Sequence, residues 1–175
     1  MKTQLEEKGY ELCIMRHGIA VDRASGTSSS DSRRALTPEG RERMTKIALG
    51  LLKTGFRPQG VVSSPYLRAA ETAKIVADSI EPQPTFELCD ALKPGGAPAN
   101  VLAFLSSRPQ FTRVLMVGHE PDLSELAALL LGASRQTDLA FKKGGCCLIS
   151  FERFPPQAPG RLIWWLTPRV LRGLV

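Results

Sequence analysis

Residues 12–15 form the uncharged apolar run Leu12-Cys13-Ile14-Met15, and Arg16-His17-Gly18 follows it directly. Such a run is typical of a short strand that is buried on both faces, as in a sheet with helices on either side. Ligands of open α/β sheets bind beyond the carboxyl ends of the strands. The glycine lets a ligand approach the backbone closely, and the arginine is suited to bind an anion. We therefore predict a ligand site at the end of this strand.

Strand patterns alternate with helix patterns along the chain. The predicted strands cover residues 11–15, 60–63, 85–88, 113–119, 144–151 and 161–166, and the predicted helices begin near residues 38, 65, 100 and 122. This alternation predicts a three-layer α/β/α sandwich with a mainly parallel central sheet of about six strands. The last two strands flank a proline-rich turn at residues 154–159, so we expect an antiparallel pair near the C-terminus.

Short polar signals mark where the predicted helices start. Thr37 is suited to cap the helix that opens with Pro38, and Ser64 is suited to cap the next helix. Asp122 and Glu125 have the spacing of a capping box, with aspartate in place of serine or threonine. We therefore expect these side chains to bind backbone N–H groups of their own helices.

The composition is that of an ordinary globular protein, with 175 residues, 43% of them apolar and 23% charged. We expect one domain over residues 1–175, because no internal repeat or linker divides the chain. The net charge of +6 favours an anionic substrate or an acidic partner surface. The basic residues are dispersed, and the two Trp, two Tyr and seven Phe form no stacking motif, which argues against a nucleic-acid partner.

Cysteine usage and hydropathy bear on the compartment. Cys13 and the pair Cys146-Cys147 lie in apolar runs, and together with Cys89 they form neither a CxxC motif nor a disulfide framework. Residues 1–8 contain no apolar signal region, and no stretch approaches the roughly 20 apolar residues of a membrane span. These features predict a cytoplasmic protein without membrane contact, and they leave the oligomeric state open.

The sequence has two histidines, and each stands at the carboxyl end of a predicted strand beside a glycine. In a parallel sheet these ends share one edge, so His17 and His119 can face each other across one pocket. Arg68 follows another such strand end, in the first turn of a helix where backbone N–H groups favour anions. Burying these side chains together with Arg16 is costly unless an anion lies among them. The cluster therefore predicts an anion-binding site.

Three sequence blocks carry a resemblance to a known family. They are Arg16-His17-Gly18, Ser64-Pro65-x-x-Arg68-Ala69-x-x-Thr72 and Gly118-His119-x-Pro121-x-Leu123. In this order and spacing they resemble the histidine phosphatase superfamily, and more closely its short bacterial branch, the SixA-type phosphohistidine phosphatases. The resemblance runs from about residue 11 to residue 166 and includes Arg34-x-Leu36-Thr37-x-x-Gly40 and Leu92-x-Pro94-x-Gly96.

The resemblance implies a covalent mechanism without a metal or other cofactor. His17 would attack phosphorus and become a phosphohistidine, which water then hydrolyses. Arg16, Arg68 and His119 would bind the equatorial phosphoryl oxygens, and Gly18 would line the substrate site. Because negative charge is spread over these oxygens in the transition state, positioning and electrostatics would supply most of the catalysis.

Arg34 and Asp90 are further candidates for the site. Arg34 precedes a predicted helix, where it either adds a phosphate contact or lies in solvent. Many larger relatives in the family protonate an alkoxide leaving group with a glutamate or aspartate, and Asp90 could serve as that proton donor here. A general acid contributes about 10²–10⁴-fold to such a reaction. Since the acid block is not clearly present, the sequence favours a less basic leaving group, the imidazole of phosphohistidine.

The short segment between the strand at residues 60–63 and Arg113 leaves little room for a lid over a small molecule. We therefore expect a phosphohistidine phosphatase that acts on a protein, such as a phosphotransfer domain in signal transduction. Two alternatives stay open: a small-molecule phosphomonoesterase with the same site, and a non-catalytic phosphate-binding module. The sequence also leaves open whether Ser25–Ser32 closes over the pocket and what the tail Pro168–Val175 does.

Overall fold

The computed structural model describes residues 9–22, 31–134 and 139–175. The strands are β1 (Tyr10–Arg16), β2 (Gly60–Ser63), β3 (Thr85–Leu88), β4 (Arg113–Gly118), β5 (Cys146–Phe151) and β6 (Arg161–Leu166). The helices are α1 (Pro38–Lys53), α2 (Leu67–Asp78), α3 (Pro98–Ser106), α4 (Asp122–Leu131) and α5 (Pro168–Arg172), with 3₁₀ turns at Asp31–Arg33 and Asp90–Leu92. Over these described ranges, no helix combines the length and the apolar character needed to cross a membrane.

Within the described ranges, the strands form a six-stranded sheet in the order β3-β2-β4-β1-β5-β6. β3, β2, β4 and β1 are parallel to one another, whereas β5 is antiparallel to β1 and β6 is antiparallel to β5. The prediction of a mainly parallel sheet with an antiparallel C-terminal pair is confirmed. The predicted strand bounds agree with the structure to within about two residues.

Side chains of β1 alternate between the two faces of the sheet. Cys13 and Met15 pack in a core with residues of α1, α2 and α5, whereas Leu12 and Ile14 pack in a second core with residues of α3 and α4. All four side chains are fully buried, because successive strand residues point to opposite faces. Helices therefore cover both faces of the sheet, which confirms the three-layer α/β/α sandwich.

Cys13, Cys89, Cys146 and Cys147 are buried free thiols. Burial raises the pKa of Cys13, Cys89 and Cys147, because a thiolate is poorly solvated in the protein interior. These cysteines fill the core as small apolar side chains do, as the apolar runs around Cys13 and Cys146-Cys147 indicate.

The helix start predicted at Thr37 is confirmed, and a glycine marks the end of α4. The Oγ1 atom of Thr37 accepts a hydrogen bond from Gly40 N at 2.9 Å, and Pro38 is the first residue of α1. Gly132 ends α4 in a left-handed conformation with φ of 64°, which glycine adopts without steric cost. Both signals depend only on neighbouring residues, so the sequence is sufficient to predict them.

Two predicted helix caps are wrong, because tertiary contacts occupy the side chains. α2 begins at Leu67 without a side-chain cap. Ser64 lies three residues earlier, where its Oγ atom accepts from Tyr66 N at 3.2 Å and lies 2.8 Å from His119 Nε2. α4 begins at Asp122 without a capping box. Its carboxylate instead accepts a hydrogen bond from Gly95 N at 2.8 Å, and this bond ties the loop before α3 to α4.

The C-terminal helix α5 packs against α1 at a glycine. A Cβ on Gly50 would lie 1.9 Å from Leu171 O, so only a residue without a side chain permits this approach. Leu171 itself is fully buried. The C-terminal segment therefore docks as a short helix that covers part of the core.

Replacing Gly50 with alanine should destabilise the protein by about 1–3 kcal/mol, because the added methyl group overpacks the contact between α1 and α5. The sign of the change is informative, since alanine is otherwise favoured over glycine inside a helix by roughly 1 kcal/mol. Urea denaturation followed by circular dichroism measures the change. Leu49→Ala, at a 42% exposed position on α1, is the control and should change stability far less. A stabilised Gly50→Ala variant would contradict this packing.

Candidate active site

Three neighbouring parallel strands bring the candidate residues to one edge of the sheet. β2, β4 and β1 are adjacent, and their carboxyl ends carry Ser63-Ser64, Gly118-His119 and Arg16-His17. α2 follows β2 and supplies Arg68 from its first turn. The imidazole rings of His17 and His119 have centroids 5.2 Å apart. The structure thus brings together the two histidines and two arginines that the sequence singled out.

Hydrogen bonds define the tautomer of His17. Its Nδ1 atom lies 2.7 Å from Gly18 O, and we assign the ring proton to Nδ1 because a carbonyl oxygen can only accept. The lone pair then resides on Nε2, which accepts a hydrogen bond from Arg68 Nε at 3.2 Å. His17 therefore presents an unprotonated nitrogen to the cationic cluster, as a nucleophile requires.

Burial keeps His17 neutral. The residue is only 7% exposed, and the pKa of His17 is lowered to about 4, mainly by burial, against the opposing hydrogen bond to Gly18 O. Three nearby cations contribute to this lowering, namely Arg68, Arg16 and Lys143. An imidazolium beside these cations would be poorly solvated and repelled. The Nε2 lone pair is therefore available at neutral pH.

Backbone contacts hold the loop that carries His17. Gly18 N donates to Thr72 Oγ1 at 2.9 Å, and the same hydroxyl donates to Arg68 O at 2.7 Å. This buried threonine therefore links the end of β1 to α2. On the other side of the loop, Gly144 N donates to Arg16 O at 3.0 Å. The nucleophile is thus held between α2 and the segment that precedes β5.

Gly18 is confined by its neighbours. A Cβ at this position would lie 2.7 Å from Met44 Cγ and 3.2 Å from Leu36 Cδ2. The absence of a side chain therefore lets the loop approach α1 and the residues before it. The substrate contact that the resemblance implies for Gly18 stays a prediction.

Arg16 is held on one side and keeps a donor for an anion. Its Nη1 atom donates to Phe141 O at 2.7 Å, whereas its Nε atom is buried and has no hydrogen-bond partner in the part of the chain that the structure describes. Burial lowers the pKa of Arg16, and the charge of Glu120 opposes this shift. Because an unpaired buried donor is costly, the Nε–H group is suited to bind a ligand oxygen.

Glu120 supports Arg16 indirectly, a role that the sequence analysis missed. Its carboxylate accepts hydrogen bonds from Phe141 N at 2.8 Å and from the Ser124 hydroxyl at 2.5 Å. It therefore holds the residue whose carbonyl oxygen binds Arg16. The sequence signal for this role was weak, because Glu120 is marked only by its position directly after His119.

Arg68 is buried and directs its donors at His17 and Asp31. Its Nη1 atom donates to Asp31 O at 2.7 Å, and its Nη2 atom donates to Asp31 Oδ2 at 3.0 Å. Arg34 donates to the other carboxylate oxygen at 2.8 Å and to Val21 O at 2.7 Å. The sequence analysis missed Asp31, which belongs to no recognised motif. The phosphate contact of Arg34 stays a prediction, since these bonds connect it to Arg68 through Asp31.

His119 is a second buried imidazole. It is 3% exposed, its Nε2 atom lies 2.8 Å from Ser64 Oγ, and its Nδ1 atom is buried without a hydrogen-bond partner among the described residues. Burial is the main cause that lowers the pKa of His119 to about 3. The charges of His17 and Arg68 lower it further, whereas the charge of Asp31 opposes the shift. A neutral imidazole carries one N–H group that can donate to an oxyanion.

Asp90 lies in the 3₁₀ turn after β3, where its side chain is 80% exposed and its carboxylate is 2.9 Å from Lys93 Nζ. Its role as a proton donor stays a prediction. Within Ser25–Ser32, residues 25–30 lie outside the described residues, and the question of whether this segment closes over the pocket lies there as well.

Two guanidinium groups and two neutral imidazoles therefore converge at the carboxyl edge of a mainly parallel sheet. Positive charge and N–H donors suit a tetrahedral oxyanion such as a phosphoryl group. The unprotonated Nε2 atom of His17 lies among them. The fold and the site together define an α/β protein whose cationic pocket is suited to an oxyanion and contains a neutral histidine.

Comparisons with known proteins identify the family. The family model of the histidine phosphatase superfamily (branch 1) matches residues 12–93. The chain is 36% identical over 138 residues to an uncharacterized protein of Picosynechococcus sp., which covers 77% of this chain and 81% of that protein. It is 32% identical over 123 residues to phosphohistidine phosphatase SixA of Escherichia coli, with coverage of 69% and 73%.

A solved structure agrees with these sequence relatives. The structure of the protein histidine phosphatase SixA complexed with tungstate superposes with a TM-score of 0.76 and 27% identity, covering 92% of this chain and 99% of the other. The chain belongs to the histidine phosphatase superfamily, and this membership supports a phosphatase activity. The resemblance found in the sequence blocks is confirmed.

Replacing Thr72 with alanine should lower both turnover and stability. The change leaves the buried Gly18 N–H without its acceptor, which costs about 1–3 kcal/mol of stability. Displacement of the adjacent His17 should lower kcat for p-nitrophenyl phosphate by roughly 10- to 100-fold. Steady-state kinetics and urea denaturation measure the two effects. Thr72→Ser retains the hydroxyl and should stay close to the wild type, and an equal loss in both variants would argue against the hydrogen bond as the cause.

The two histidines should make the protein less stable as the pH falls. Their folded-state pKa values, about 4 for His17 and about 3 for His119, lie below the value of about 6.5 in unfolded chains. The unfolded state therefore binds more protons, and stability that is complete above pH 6.5 is lost progressively below it. Between pH 7 and pH 5 we expect a loss of about 2 kcal/mol for each histidine.

Urea denaturation at both pH values, in buffers without phosphate or sulfate, measures this loss. The double variant His17→Gln/His119→Gln is the control, because it retains the carboxylates that also titrate. If the double variant loses as much stability as the wild type between pH 7 and pH 5, the two histidines are not the cause.

Proposed function

We propose that this chain is a phosphohistidine phosphatase that dephosphorylates a histidine on another protein through a covalent intermediate on His17. The observation that carries the proposal is the tautomer of this residue. Nδ1 bonds to Gly18 O at 2.7 Å, and the unprotonated Nε2 atom faces Arg68 within the cationic cluster. A neutral imidazole held in this way has one nitrogen fixed by the backbone and the other ready to attack phosphorus.

Substrate binding replaces one hydrogen bond within the site. The Nε2 lone pair of His17 cannot accept from Arg68 and attack phosphorus at the same time. A phosphoryl oxygen therefore takes the Nε–H group of Arg68 as its donor when the substrate binds. The Nε–H group of Arg16, which is buried without a partner among the described residues, and the N–H group of His119 are suited to the other oxygens.

The chemistry then proceeds in two transfers. In the first, Nε2 of His17 forms a bond to phosphorus, the P–N bond to the substrate imidazole breaks, and the electron pair stays on the leaving nitrogen. Positive charge that develops on the His17 ring is stabilised by the carbonyl oxygen of Gly18. In the second transfer, water attacks phosphorus, inorganic phosphate leaves, and His17 returns to its neutral form. Arg16, Arg68 and His119 stabilise the charge on the equatorial oxygens in both transfers.

Several observations support a phosphohistidine on a protein as the substrate. An imidazole leaving group needs less help from a general acid than an alkoxide does, and the carboxylate of Asp90 is 80% exposed and paired with Lys93. Residues 64–112, which are all described, form only α2, β3, a 3₁₀ turn and α3 between β2 and β4. This short connection does not add a separate lid.

The relatives support the same substrate class. The proteins named phosphohistidine phosphatase SixA and protein histidine phosphatase SixA are among the similar ones. The net charge of +6 suits an acidic partner surface. We propose as partner a histidine-phosphorylated protein, such as a phosphotransfer domain of a cytoplasmic signalling relay.

Release of phosphate from a histidine-phosphorylated carrier protein tests this function. The wild type should release phosphate and pass through an acid-labile, alkali-stable phosphoenzyme. His17→Ala should lower kcat/KM by at least about 10³-fold and abolish the phosphoenzyme, because the nucleophile is lost. Lys46→Ala, on the exposed side of α1, is the matched control and should leave the rate unchanged.

Three outcomes would count against the proposal. Undiminished turnover in His17→Ala would remove this residue from the mechanism. A much higher kcat/KM on sugar phosphates or nucleotides than on the carrier protein would instead identify a small-molecule phosphomonoesterase. Binding of a phosphorylated partner without any phosphate release would identify a non-catalytic phosphate-binding module.

A further inference from the structure

Asp31 places a carboxylate at the border of the cationic site. Its Oδ2 atom accepts from Arg68 at 3.0 Å, and its Oδ1 atom accepts from Arg34 at 2.8 Å. The Asp31 side chain is 23% exposed, whereas that of Arg68 is 6% exposed. The carboxylate is therefore in contact both with solvent and with a buried guanidinium group of the site.

A negative charge at this position opposes the binding of a phosphoryl group. It offsets part of the charge of Arg68, and it acts on His119 as well, since it opposes the lowering of the pKa of His119. Orientation of Arg68 alone does not require the carboxylate. His17 Nε2 and the main-chain carbonyl oxygen of Asp31 already accept from two of the three guanidinium nitrogens. A site for phosphate esters in general would bind them more tightly without this charge.

The phosphohistidine substrate proposed above contains a group that the Asp31 carboxylate can bind. A phosphorylated imidazole has a second ring nitrogen, and the ring leaves as neutral imidazole only when that nitrogen carries a proton. The protonated ring is a cation with an N–H donor, which a carboxylate can bind through a charge-assisted hydrogen bond. A carboxylate offers about four acceptor positions, so it can bind such a donor alongside the arginines.

We propose that Asp31 is a specificity-determining residue that holds the leaving imidazole in its protonated form. This inference rests on the proposed function. As the bond from His17 Nε2 to phosphorus forms, the P–N bond breaks and its electron pair remains on the leaving nitrogen. The proton stays on the distal ring nitrogen, where Asp31 accepts its hydrogen bond. The leaving group is then neutral imidazole, and Asp31 stays ionised throughout.

The charged groups around Asp31 determine which titration appears in the pH dependence of the reaction rate. Arg68 of α2 and Arg34 of the segment before α1 stay charged across the working range. His119 at the end of β4 and His17 at the end of β1 stay neutral above pH 5, because their pKa values are about 3 and about 4. Since none of these four groups changes charge above pH 5, we assign the alkaline limb of the reaction to the imidazole of the bound substrate.

Asp31→Asn tests the proposal, because it retains the shape and an acceptor oxygen but removes the charge. With phosphoimidazole and a phosphohistidine peptide, kcat/KM should fall about 10- to 100-fold, as expected for the loss of a charge-assisted hydrogen bond. With p-nitrophenyl phosphate, whose leaving group has no such N–H group, kcat/KM should stay constant or rise. The alkaline limb of kcat for phosphoimidazole should move to lower pH by about one unit or more.

Two further variants complete the experiment. Asp31→Glu restores the carboxylate and should recover part of the phosphoimidazole rate. Asp78→Asn, at the exposed end of α2, is the matched control and should behave as the wild type with both substrates. Urea denaturation of each variant at pH 7 shows whether a lower rate reflects a smaller folded fraction, and rates are then compared per folded molecule.

The outcomes that overturn the inference differ from those that overturn the function. If Asp31→Asn loses activity equally on the ester and the phosphoramidates, without a shift of the alkaline limb, Asp31 only positions Arg68 and the inference fails while the function stands. If the wild type cleaves p-nitrophenyl phosphate but not phosphoimidazole or the phosphohistidine peptide, the proposed function fails, and the inference fails with it.

Discussion

The hydrogen bond between His17 Nδ1 and Gly18 O is the interaction on which the site depends. It fixes the ring proton on one nitrogen, so that the lone pair of the other nitrogen faces Arg68. Gly18 has no side chain, and a Cβ at this position would lie 2.7 Å from Met44 Cγ, so the loop that carries this bond packs directly against α1. Thr72 then holds the same residue through its backbone N–H group. The packing of α1 and α2 against this loop thus helps to keep the ring proton of His17 on Nδ1.

Bringing these side chains together costs free energy through charge repulsion, and the surrounding backbone offsets part of this cost. The buried Arg68, the half-buried Arg16 and the two buried histidines would repel one another if all were charged. The histidines avoid this by staying neutral, since burial lowers the pKa of both. The arginines keep their charge, and the carbonyl oxygens of Phe141 and Asp31 partly compensate it. The donors left without partners among the described residues are the groups that gain most from an anion.

The residues that sequence analysis could place are those whose position follows from strand patterns. The apolar runs before His17 and His119 predict that both histidines lie at the carboxyl edge of the sheet, because parallel strands share that edge. The residues it could not place depend on contacts between distant segments. Ser64 and Asp122 have the composition of helix caps, yet Ser64 lies against His119 and Asp122 binds Gly95. The periodicity of apolar residues does not indicate such contacts between distant segments.

The same limit applies to the two carboxylates that support the arginines. Asp31 reaches Arg68 across 37 positions of the chain, and Glu120 reaches Phe141 across 21. Asp31 stands in none of the blocks that carry the resemblance, and Glu120 occupies only an unspecified position of the block that begins at Gly118. The strand positions, the mainly parallel sheet and the site's location therefore follow from the sequence, whereas the strand order and the hydrogen bonds around the arginines require the coordinates. The nitrogen nucleophile proposed for this site would also affect resistance to oxidants. Enzymes that rely on a thiolate are inactivated by peroxide, because sulfur is readily oxidised to sulfenic and higher acids. Here the thiols of Cys13, Cys89, Cys146 and Cys147 are all buried, and burial raises the pKa of Cys13, Cys89 and Cys147, so little reactive thiolate forms. We therefore expect a phosphatase that relies on His17 to keep its activity under oxidative conditions that inactivate cysteine-dependent phosphatases.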